Sequence, residues 1–127
     1  MAEGAVDRTM GAGPDEVWKR VGDFAGIEDF FPGIDSFRME GEDRIIGMFG
    51  MEIRERLLSR DDATRTISYS VVDGVPIDSH QATITVEPHG EGSKVTWAYA
   101  VTPDEMAPIF GDTYKAALAS LENGFSS

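Results

Sequence analysis

Apolar positions along the chain change period twice, and the changes divide it into elements. Val6 and Met10 stand apart from Asp7 and Thr9, which predicts a short strand over 4–10. Val17, Trp18, Val21 and Phe24 or Ala25 then recur at helical spacing behind Pro14, a residue pre-set for a first helical turn. Asp15 and Glu16 follow where the helix dipole favours carboxylates. Gly22 and Gly26 weaken the end of that helix. Ile27, Phe30 and Phe31 continue as a second short helix, stopped by Pro32-Gly33.

From Ile34 the period is two. Phe37 and Met39 alternate with Ser36, Arg38 and Glu40, and strands follow over 44–49, 51–59, 64–72, 80–87 and 94–101. Short turns at 41–43, 50, 60–63 and 88–92 join them, and Asp73-Gly74 and Pro76 mark a further break. Thr102-Pro103-Asp104-Glu105 reads as a helix start with a capping threonine. Beyond it Met106, Phe110, Tyr114, Ala117, Leu118 and Leu121 form one helical stripe, with Pro108 in the second turn and the end near Asn123-Gly124.

Consecutive strands with short links must pair antiparallel, and a sheet this large curls. The fold class is therefore α+β: a strongly curved antiparallel seven-stranded sheet wrapped around a long C-terminal helix, with two short helices between strands one and two. The whole chain, 1–127, is expected to form a single domain. The last helix offers one apolar stripe to the sheet's apolar face. Where the curl keeps them apart, a cavity remains.

Composition narrows the function. Eleven Lys and Arg stand against 23 Asp and Glu, a net charge of −12. That balance argues against nucleic acid and against electrostatic docking on anionic lipid. There are no cysteines, which excludes disulfides, thiolate metal sites and cysteine nucleophiles. With two histidines only, a metal site is not expected, and no phosphate loop, dinucleotide fingerprint or nucleophile elbow implies a cofactor. No apolar run approaches the ~20 residues that span a bilayer. Met1-Ala2-Glu3-Gly4 lacks the basic and apolar regions of a signal peptide, so a cytoplasmic protein is expected.

Strand parity then places the candidate chemistry. If Ile53 and Leu57 face inward, so does Glu55. The same holds for Tyr69 with Ile67 and Val71, for His80 with Ala82, Ile84 and Val86, and for Trp97 and Tyr99 with Val95 and Val101. An apolar face thus carries a carboxylate, an imidazole and two phenols. Each must bond to another, to water or to a ligand, because burying a neutral polar group unpaired costs ~1–3 kcal/mol. Ile53, Leu57, Ile67, Val71, Ala82, Ile84, Trp97, Tyr99, Phe110 and Tyr114 are the expected ligand-lining residues. Met39, Met48, Met51 and Met106 are either core filler or an adaptable pocket wall. The segment 72–79, joining two strands at the mouth, is a candidate gate. Arg54 and Arg56 have the opposite parity to Glu55 and are expected outside, paired with Glu52 or Glu87. Asp61-Asp62 reads as a solvated turn.

The layout resembles the START-like superfamily with its helix-grip fold, the group of polyketide cyclase/dehydrase-like proteins, coenzyme Q-binding proteins and the birch pollen allergen. The residues that carry the resemblance are Pro14-Asp15-Glu16-Val17-Trp18 with Asp23-Phe24, Phe31-Pro32-Gly33, Glu55-Arg56-Leu57 before Asp61 and Asp62, and Ser93-Lys94-Val95-Thr96-Trp97. It implies a hydrophobic pocket between sheet and C-terminal helix. Three functions remain open. The first is binding of a small hydrophobic molecule: a lipid, a polyketide or an isoprenoid. The second is a cofactor-free cyclase or dehydratase with His80, Glu55 and Tyr69 as acid/base groups. The third is a protein-interaction module. The resemblance associates cyclase activity with an inward arginine. None stands at the assigned inward positions, and Arg38 and Arg44 reach them only if the register shifts by one.

Overall fold

A computed structural model describes residues 2–125. Its seven strands are β1 (Ala2–Met10), β2 (Ser36–Glu40), β3 (Asp43–Met48), β4 (Met51–Asp61), β5 (Thr66–Asp73), β6 (Ser79–His89) and β7 (Gly92–Thr102). They form one antiparallel sheet in the order β1-β7-β6-β5-β4-β3-β2. Helix α1 (Pro14–Val21) and a 3₁₀ segment (Phe24–Asp29) fill the connection between β1 and β2, and α2 (Ala107–Asn123) closes the chain. This is the helix-grip arrangement expected from the sequence. Among the described residues no helix is long and apolar enough to cross a membrane.

Both helices bury their apolar stripes on the inner face of the sheet. Helix α2 packs on β1 and β7, and α1 on β6 and β7. Val17, Trp18 and Val21 from α1 join Tyr114, Ala117, Leu118 and Leu121 from α2 and the inward strand residues in one cluster. Each such aliphatic side chain contributes ~1.5–3 kcal/mol by leaving water. The indole N–H of Trp18 donates to Asp62 Oδ1 at 2.9 Å. The turn expected to be only solvated therefore ties α1 to the end of β4.

Two elements depart from expectation. Thr102 does not cap the last helix. It belongs to β7, the Thr102–Pro103 peptide is cis, and a short 3₁₀ turn (Asp104–Met106) precedes α2. Pro108 accordingly lies in the first turn of α2, where its missing N–H has no helical partner to lose. The second departure is in the arginines. β3 starts at Asp43, one residue earlier than its period suggests, and pairs Arg44 with Glu55 on the inner face. Arg54 and Arg56 do lie on the outer side, but their partners are Asp43 and Glu40 rather than Glu52 or Glu87. Glu52 pairs instead with Arg38.

Candidate functional site

The site grows from β4. Register shifts between Arg54 and Glu55 and between Leu57 and Ser59 break its ladder with β5, and bulges of this kind bend a strand and re-aim its side chains. Between this part of the inner face and the first turns of α2 lies a partly open cavity of about 80 Å³. Ile53, Glu55, Val71, Phe110 and Tyr114 line it. Phe31, Met48, Phe49, Met51, Val75, Ile109 and Thr113 complete it. The lining is almost wholly apolar, and the methionines Met48 and Met51 belong to its wall.

The other expected lining residues lie elsewhere in the interior. Ile67 and Ile84 border a second void of about 10 Å³ beside Tyr69 and Arg44. Ala82 and Trp97 are fully buried, while Leu57 is half-buried against the core. Tyr99 is half-buried, its ring 5.6 Å from Tyr114 and edge-on to it. The aromatic side chains explain why the cavity is small. Trp97 stacks on Tyr114 with ring centres 4.3 Å apart, and Phe31 meets Trp97 edge-on at 6.0 Å. Rings occupy the space that the curl opened.

Glu55, Tyr69 and His80 all point inward and are buried. None of the three bonds to another; each is satisfied by a different neighbour. Arg44 Nε donates to Glu55 Oε1 at 2.7 Å, and its Nη1 donates to the Phe24 carbonyl at 2.9 Å. The guanidinium carbon lies over two neighbouring rings, 4.0 Å from the centre of Phe24 and 4.7 Å from that of Tyr69. Cation–π contact of this sort offsets part of the cost of taking the charge out of water. An inward arginine is thus present after all, engaged by a carboxylate.

His80 Nδ1 accepts the Val71 amide at 3.1 Å, which places the ring proton on Nε2. Nε2 then donates to the Tyr114 hydroxyl at 2.8 Å. The Tyr69 hydroxyl receives the Trp97 indole N–H at 3.2 Å. Burial lowers the His80 pKa to about 4 and pushes both phenols upward. His80 is therefore neutral near pH 7, its lone pair committed to the backbone. Neither it nor Tyr69 reaches the cavity wall, whose polar side chains are Glu55, Tyr114 and Thr113. Among the described residues, no three His, Asp or Glu side chains converge to hold a metal.

The mouth of the cavity is the β3–β4 hairpin facing α2. Phe49 and Gly50 form its two-residue turn with φ of +55° and +73°, the backbone of a type I′ hairpin. Asparagine or glycine is the usual occupant of the first position. Here a phenylalanine stands there with 69% of its surface exposed, next to Ile109 at 56%. On the far side of Phe31, Met48, Phe49 and Thr113, an open groove of about 250 Å³ runs along α2 past Asp112 and Ala116.

An open antiparallel sheet gripping its C-terminal helix around an apolar interior defines a helix-grip protein. The chain belongs to the polyketide cyclase/dehydrase and lipid transport family, which it matches over residues 1–125. No curated protein matches it. Among solved structures it is similar to the protein XoxI from Bacillus cereus, with 29% identity and a TM-score of 0.91 over 98% of this chain and 96% of that one. The ginseng major latex-like protein 151 from Panax ginseng shares the fold at 16% identity, with a TM-score of 0.81 over 99% and 98% of the two chains. The di-domain ARO/CYC BexL of the BE-7585A biosynthetic pathway shares it at 22% identity, with a TM-score of 0.80 over 97% of this chain and 46% of BexL.

Proposed function

We propose that the protein binds a small hydrophobic molecule between β3–β5 and the first half of α2, with the polar end of the ligand at Glu55. The observation that carries this reading is an apolar cavity with a buried carboxylate on its wall, already neutralised from behind by Arg44. A core built for stability alone gains little from such a pair, since apolar residues of equal volume serve as well or better. The family includes lipid transport, which accords with a carrier of a lipid, polyketide or isoprenoid. The cavity of about 80 Å³ is well below the roughly 300–1,000 Å³ of most ligand sites. Ligand entry therefore requires Phe49 and its neighbours to swing aside, joining the cavity to the 250 Å³ groove that shares their wall. The experiment is native mass spectrometry of the purified protein followed by solvent extraction. A co-purifying apolar molecule, or its uptake from an added mixture of lipids and polyphenols, is the expected result. A protein that neither carries nor takes up such a molecule contradicts the reading.

Cyclase or dehydratase chemistry is the second reading, favoured by Glu55 and Tyr114 lining the same cavity. In that case Glu55 takes or returns a proton at the substrate, while His80 orients Tyr114 from behind and Tyr69, held by Trp97, stays in the interior. Turnover of a poly-β-ketone analogue, lost in Glu55→Gln with ligand uptake intact, distinguishes a catalyst from a carrier.

A further inference from the structure

Resting on the ligand-binding reading, we infer that the cavity selects a neutral head group that donates a hydrogen bond, such as a hydroxyl, phenol or enol, and rejects a carboxylate. The selection follows from which member of the buried ion pair meets the ligand. Glu55 lines the cavity; Arg44 does not, and borders only the small void behind it. The guanidinium is engaged by Glu55 Oε1 and by the Phe24 carbonyl, and it lies over the Phe24 and Tyr69 rings. An incoming anion therefore finds no free cation. It meets the carboxylate first, in an apolar enclosure where like charges repel far more strongly than in water.

A donor finds the opposite. Glu55 Oε1 is taken by Arg44, and among the described residues no protein group donates to Oε2. An O–H reaching Oε2 completes the carboxylate's hydrogen bonding without adding charge. Charge-assisted bonds of this kind are about twice as strong as neutral ones. Thr113, on the same wall, gives its hydroxyl proton to the Ile109 carbonyl and so can accept a hydrogen bond from a second hydroxyl of the ligand. The chain's net charge of −12 works in the same direction, since it disfavours the approach of any anion.

Three probes of one shape test this: 2-naphthol, 2-naphthoate and naphthalene, titrated calorimetrically into the full chain at pH 7. The expected order is 2-naphthol tightest, by roughly tenfold or more over each of the others, the size of one charge-assisted hydrogen bond. In Glu55→Gln the buried arginine loses its counter-charge, and the preference for 2-naphthol over 2-naphthoate falls by at least about tenfold. Should that variant fail to fold, Arg44→Met/Glu55→Leu removes both charges, and 2-naphthol then binds no more tightly than naphthalene. Equal or tighter binding of 2-naphthoate by the unaltered protein overturns the inference and leaves the ligand reading standing. Equal binding of 2-naphthol and naphthalene does the same. If none of the three binds, both fall.

Discussion

Arg44 and Glu55 face each other across β3 and β4 at 2.7 Å, with 3% and 10% of their side chains exposed. A pair so enclosed is costly to break and cheap to replace. Removing one partner strands a buried charge, which typically costs ~3–5 kcal/mol. Arg44→Ala and Glu55→Ala should each lower stability by about that amount in urea unfolding, whereas Arg44→Met/Glu55→Leu should lie within about 1 kcal/mol of the natural chain or above it. Single variants that unfold normally would mean that water reaches the pair.

His80 sets a pH dependence whose sign is fixed by burial. Its pKa is lowered to about 4 in the folded chain, against about 6.5 unfolded. Above pH 6.5 both states are neutral and its contribution is constant. As pH falls from 6.5 towards 4, the unfolded chain takes up a proton that the folded chain refuses, so stability drops. The loss reaches about 3 kcal/mol at the lower end and then levels off. Carboxylates titrate in the same range, so the measurement is a difference. The fall in unfolding free energy between pH 7 and pH 4.5 should be smaller in His80→Gln than in the unaltered chain. An identical fall in both would show that the imidazole is not buried in the folded state.

Phe49 holds a left-handed backbone that costs a side-chain-bearing residue roughly 1–2 kcal/mol, least for asparagine. With 69% of its surface in water it recovers little by burial. Phe49→Asn should therefore stabilise the fold by about 1 kcal/mol. Because the ring also covers the cavity mouth, the same variant should release bound 2-naphthol faster in stopped-flow fluorescence. Higher stability with unchanged release would leave the ring no part in entry.

Gly74, in the β5–β6 connection at the same mouth, has φ of +95°, and a methyl group there would collide with the Glu52 carbonyl. The obstacle is main chain and cannot rotate away. Gly74→Ala should cost about 2–4 kcal/mol, visible as a lowered Tm.

Most of the architecture could be read from periodicity, because the switch from 3.6 to 2 and back records which face each element buries. Inward placement of Glu55, Tyr69, His80 and Trp97 followed from parity alone. Arg44 did not follow. Its strand is buried on both faces, from Asp43 to Met48, so no alternation marks its register. Ile45 lies on the outer face between the cross-strand neighbours Arg38 and Arg54. The rim residues Phe49 and Ile109 were equally hidden, because exposed apolar side chains at a turn and a helix start carry no periodic signal. Their one sequence trace is a phenylalanine where a two-residue hairpin favours asparagine. The cavity's size could not be read at all, since it depends on how Trp97, Tyr114 and Phe31 stack.

Tyr114 joins the two halves of the site, and its hydroxyl can be removed without changing the ring. Tyr114→Phe keeps the 4.3 Å stack on Trp97 and the apolar wall but leaves His80 Nε2–H without its acceptor. The stability loss should be about 1–3 kcal/mol, the cost of a buried donor left unpaired. The loss should not spread to ligand affinity by more than a few fold, because the charge that the ligand meets is on Glu55. A carrier therefore survives the substitution with its binding nearly intact, read by calorimetry with 2-naphthol. A catalyst that passes a proton through the phenol loses turnover while keeping binding. Affinity collapsing together with stability would mean that Tyr114, and not Glu55, anchors the polar end, and the site would have to be redrawn around His80.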